Sequence, residues 1–179
     1  MTPATFLTAV IAIAAVTAGC AAITHQQSSA DEQRCRASSF ALPFGEVAPC
    51  SVEAVMTAAV TTVFSYRPSE HADQRVAFRA ARSLMDPRFA DRAESAALVW
   101  APVSADQWQQ WRSDAVSIAA SARVTSDDHP TDTATTASRV VAVGLEPGNQ
   151  PPIMWTVYAR ATRTTAASAW LLSGMEVLP

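Results

Sequence analysis

Residues 116–125 read VSIAASARVT, and at this stretch the apolar period shortens from about 3.6 residues to about 2. Val116, Ile118, Ala120, Ala122 and Val124 alternate with Ser117, Ala119, Ser121, Arg123 and Thr125. That is the pattern of a strand with one buried face. Upstream the patterning is helical; downstream it stays extended. This order, helices first and strands last, decides the fold class.

Upstream, Val52, Val55, Met56, Ala59, Val60, Val63 and Phe64 recur at helical spacing and form one broad apolar stripe. Ser51 is the expected N-cap, Glu53 sits in the first turn, and Arg67-Pro68 stops the helix. Ser69 is placed to cap a second helix over 70–85, with Ala77, Ala80, Ala81, Leu84 and Met85 as its apolar face. Arg75, Arg79 and Arg82 form a ridge on that helix, read either as a solvated face or as a partner surface. Asp86-Pro87 reads as cap and first residue of a short third helix reaching Glu94. Ser104 and Gln107 form a capping box for one or two turns bearing Trp108 and Trp111. Those two rings are either lids on the core or an exposed partner patch.

Downstream, the polar segment 126–137 (SDDHPTDTATTA) connects to a second strand, 139–145, which ends at the turn Glu146-Pro147-Gly148-Asn149. Ile153, Trp155, Val157, Ala159 and Ala161 form the inner row of a third strand. The fourth carries Trp170 and Leu172, then Met175 and Val177, so the apolar register flips at Ser173-Gly174. A β-bulge is expected there.

The chain begins with an uncharged apolar run, 6–23 (FLTAVIAIAAVTAGCAAI). Its 18 residues reach roughly 27 Å as a helix, close to the thickness of bilayer hydrocarbon. The run is expected to be an uncleaved single-pass anchor. Val16-Thr17-Ala18-Gly19-Cys20 also resembles a bacterial lipoprotein signal box, which makes Cys20 a candidate lipidation site, although Thr17 stands where that box carries an aliphatic residue. Counting Lys and Arg beside the run, Arg34 and Arg36 would place the C-terminal domain inside. Asp31 and Glu32 weigh against that, and a start further upstream carrying basic residues would reverse it.

Of 179 residues, 13 are basic and 16 acidic, giving a net charge of −3 and a pI of 5.5. No general attraction to nucleic acid or anionic lipid follows from that balance. Every basic residue is Arg, a composition associated with GC-rich bacteria, and lysine Schiff-base chemistry is excluded. Cys35 and Cys50 flank an irregular segment. They are read either as a disulfide formed in an oxidising compartment or as two unpaired thiols. The first reading places the domain outside the cytoplasm. The expected organisation is transmembrane anchor or signal 1–23, solvated linker 24–50 and domain 51–179.

This layout resembles the cone-shaped α+β fold of nuclear transport factor 2 and ketosteroid isomerase. With the N-terminal run added, the chain is similar to bitopic assembly subunits of type IV secretion and conjugation systems. The resemblance is carried by TAAVTTVFSYRP (57–68), SLMDPRF (83–89), VSADQWQQW (103–111), IMWTVYARA (153–161) and SAWLLSGMEVL (168–178). Mammalian-cell-entry-associated membrane proteins of actinobacteria share a helix ending in FSY and a closing strand with Trp. The implied fold is α+β: an N-terminal transmembrane helix, then about three helices on a curved four-stranded antiparallel sheet. The implied role is a scaffold that binds other membrane or secretion-apparatus proteins, or copies of itself, with an accessory lipid-import subunit as the second reading.

Neither family supplies catalytic residues, and a small-ligand or catalytic cone is the third reading. An isomerase-like site would need an Asp base and a Tyr or acid donor inside the cone. Tyr158 and Arg160 fall on the polar face of their strand, and Glu176 lies near the end. Asp127, Asp128, His129 and Asp132 are the one acid–His cluster, read as a hard-cation site or as a solvated loop. No catalytic residue, resident metal or cofactor is expected. The candidate interaction surface is Arg75, Arg79, Arg82, Trp108 and Trp111.

Overall fold

The computed structural model describes residues 34–148 and 150–178. The apolar run 6–23, with Cys20, lies outside the described residues, and so does 24–33. Among the described residues no helix is long and apolar enough to cross a membrane.

Helix α1, Val52–Phe64, opens with Ser51 Oγ accepting from Ala54 N–H at 3.3 Å. The seven residues of the expected stripe are its buried ones. It ends where Ser65 turns extended and returns its N–H to the Thr62 carbonyl. Tyr66 then pairs with Ile118 in an antiparallel bridge. That bridge hands the helix to the start of the sheet.

The second helix differs from expectation. Helix α2 spans only Arg75–Ala80, and its N-cap is Gln74, not Ser69. The reason lies 40 residues on. Arg112 Nε donates to the Pro68 carbonyl at 2.8 Å, and its Nη2 donates to those of His71 and Ala72 at 2.8 and 2.9 Å. Carbonyls turned to a guanidinium cannot build the first turn of a helix. A short 3₁₀ turn, Arg82–Leu84, follows, then α3, Pro87–Ala93. Asp86 caps α3 by accepting from the N–H groups of Arg88 and Phe89. A second 3₁₀ turn, Glu94–Leu98, leads to α4, Ala105–Ser113. Ser104 accepts from Gln107 N–H at 3.1 Å, but the Gln107 side chain donates to Gln110, so only half of the capping box forms. Past α4, Ala115 takes a left-handed φ of 51°, while Val116 N–H bonds the Trp111 carbonyl at 2.9 Å.

Strands β1 (Ile118–Val124), β2 (Thr136–Pro147), β3 (Ile153–Thr162) and β4 (Leu171–Leu178) form an antiparallel meander in sequence order. β2 is longer than its apolar pattern because Thr136–Arg139 pair only with β3. Ser173 is the extra residue of a bulge: Arg160 faces Gly174 while Ala161 faces Leu172. The inner face carries Ile118, Val141, Val143, Leu145, Val157, Ala159, Ala161 and Leu172, all buried, with α1 lying across all four strands. The outer face carries Ser121, Thr156, Tyr158, Arg160 and Glu176.

Residues 35–50, expected as linker, belong to the packed unit. Phe44 is buried, and Phe40 and Val47 pack against the same core. Arg36 N–H bonds the Ala167 carbonyl, and Trp170 N–H bonds that of Pro49. The aromatic and aliphatic residues of this stretch anchor it despite its polar average.

Candidate functional site

The Arg ridge is neutralised within the chain. Asp73 takes Arg75 through Nε and Nη2, the shortest contact being 2.6 Å. Glu94 takes Arg79 Nε at 3.0 Å through Oε1 and Arg82 Nη1 at 3.1 Å through Oε2. Arg82 also pairs with Asp91. Hydrogen bonds from Arg75 hold the Asp73 carboxyl below its ordinary value, and the same partner raises Arg75. These pairs are partly exposed, so solvent screens them and they add little to stability. The ridge fastens α2 to the turn 94–98.

Trp108 and Trp111 do not join it. Trp111 is fully buried, Trp108 is 5% exposed, and neither lines an exposed surface. Trp111 Nε1 donates to Gln150 Oε1 at 3.0 Å, and Trp108 meets Tyr66 edge-on at 5.4 Å between ring centroids. Burial raises the Tyr66 phenol well above its ordinary pKa. Helical spacing of three puts both rings on one face of α4, and that face turns inward, where Trp108 meets Tyr66 and Trp111 meets Gln150. The surface expected from Arg75, Arg79, Arg82, Trp108 and Trp111 is therefore corrected to its arginine half.

Two exposed apolar residues, Leu98 and Val99, were passed over by sequence patterning. Val99 is 79% exposed and Leu98 39%, at the end of the turn that Glu94 begins. Two adjacent aliphatic residues after a small-residue run were the available signal.

Cys35 and Cys50 are bonded to each other. The acid–His cluster is taken apart by other partners. Asp127 accepts from Thr125, and Asp132 holds Arg139 through two bonds of 2.7 Å. Arg139 is buried on β2, and its guanidinium pKa is raised chiefly by Asp132, with Glu53 at 3.7 Å adding to it. Among the described residues no group of three His, Cys, Asp or Glu side chains could hold a metal ion. Tyr158, Arg160 and Glu176 lie together on the outer face, where a groove of about 470 Å³ runs between them and the loop bearing Asp128 and His129.

No family model, curated protein or solved structure matches this chain. What the chain does must be argued from its own residues.

Proposed function

We propose that the chain is a membrane-anchored, non-enzymatic scaffold whose extracytoplasmic domain binds other subunits of a conjugation or type IV secretion-like apparatus. The observation that carries this reading is the exposed apolar pair Leu98 and Val99, at the end of a turn whose first residue, Glu94, pairs with Arg79 and Arg82. A small apolar centre with a charged rim is the composition of a protein interface, where rim charges steer encounter and the centre supplies affinity. The uncharged run 6–23 supports the anchor. The Cys35–Cys50 bond supports a domain outside the reducing cytoplasm. The order of helices and strands supports the apparatus named.

The test is a photoreactive amino acid placed at position 99 of the full chain in living cells. Cross-links to a membrane protein of the same apparatus are expected. Cross-links confined to lipid, or none above those from position 42, would sink the proposal.

A further inference from the structure

On the outer face of the sheet, far from the Leu98–Val99 step in sequence, the groove over β2, β3 and β4 carries a second set of groups without partners. Its floor is Val140, Tyr158 and Gly174, and its wall is the loop bearing Asp128 and His129. Arg160 and Glu176 stand on neighbouring strands at diagonal positions, since Arg160 faces Gly174 and Glu176 faces Tyr158. Oppositely charged side chains so placed commonly pair, yet no ion pair joins them. Among the described residues no hydrogen bond or ion pair engages the side chains of Arg160, Glu176, Asp128 or Tyr158.

The absence of a side chain at Gly174 keeps the floor low. A Cβ there would come within 3.4 Å of Arg160 Cβ. Tyr158 lines the groove and is 46% exposed. The volume, about 470 Å³, falls within the range of small-molecule sites.

We infer that this groove binds a neutral carbohydrate. Arg160 and Tyr158 bring donors, Asp128 and Glu176 bring acceptors, and Tyr158 brings an aromatic ring to the same groove. A sugar ring answers both halves of that arrangement. Its hydroxyls donate and accept in alternation, and its polarised C–H groups stack on the negative face of an aromatic ring. Two carboxylates on the rim repel an anion. Arg160 repels a cation, and the one other guanidinium at the groove, that of Arg139, is already engaged by Asp132. A neutral polyol meets every unpartnered group without burying a charge alone.

The experiment is calorimetric titration of the full chain in a detergent without a sugar headgroup. The probes are chitotriose, maltotriose, cellotriose and, as the anionic control, sulfate. At least one trisaccharide should bind saturably with Kd below about 1 mM, and sulfate should neither bind nor compete. Tyr158→Ala and Glu176→Gln should each weaken binding about tenfold or more, with unchanged circular dichroism. No binding of any trisaccharide overturns the inference, as does undiminished affinity in both folded variants, or displacement of the sugar by sulfate.

Discussion

Cys35 is bonded to Cys50 across a separation of 15 residues, and between them the chain buries Phe44 against the core. A cross-link closing a loop of that length stabilises by about 3 kcal/mol, chiefly by restricting the unfolded chain. Reduction, or Cys35→Ser with Cys50→Ser, should therefore lower unfolding free energy by about that amount in urea titrations. A difference below about 1 kcal/mol would mean that the segment is held by its apolar anchors alone.

Trp111 and Glu94 should separate cleanly. Trp111→Ala removes a fully buried ring and should cost about 3–5 kcal/mol. Trp111→Phe should cost less, although it abandons the bond to Gln150. Glu94→Ala frees Arg79 and Arg82 at an exposed site and should cost under about 1 kcal/mol. Chemical denaturation of the three variants checks the order; a reversal would relocate the core.

Acid should loosen the segment between α1 and α2. Desolvation, the main cause, lowers the His71 pKa below its ordinary value of 6.5. Neutral His71 Nδ1 accepts from Arg67 N–H at 3.3 Å. A histidine with a lowered folded pKa binds fewer protons folded than unfolded, so stability falls as pH drops below 6.5. Asp73 acts in the same direction lower down: its contribution is present above 3.8 and is lost as pH falls through its depressed value. Between pH 7 and 5 the melting temperature should fall further in the wild type than in His71→Asn. Equal falls would remove His71 from the explanation.

The proposed anchor sets a prediction of topology. Fusions at the C-terminus should activate a reporter that works only outside the cytoplasm and leave silent one that works only inside. The opposite pattern would place the domain in the cytoplasm and leave the disulfide without an oxidising compartment.

Period alone carried much of the fold. The α1 stripe, the inner rows of the strands and the register flip at Ser173 are local patterns, and local patterns survive in a sequence. Helix α2 is shorter than its pattern because Arg112 claims carbonyls 40 to 44 residues away, bonds that no local window reveals. Trp108 and Trp111 were legible as one face of a helix, with a core lid and an exposed patch both open as readings. Burial depends on what lies opposite, here Tyr66 and Gln150. The groove partners Arg160, Glu176 and Asp128 come from three separate stretches that only the meander assembles.

The scaffold claim is tested most directly by co-purification of the full chain from detergent-solubilised membranes, comparing wild type with Val99→Asp. Val99 is exposed, so the variant should fold and melt as the wild type does. A buried charge at an interface centre costs binding several kcal/mol, so its partner membrane proteins should be lost or sharply depleted. Val99→Asp recovering every partner in wild-type amounts would contradict the account.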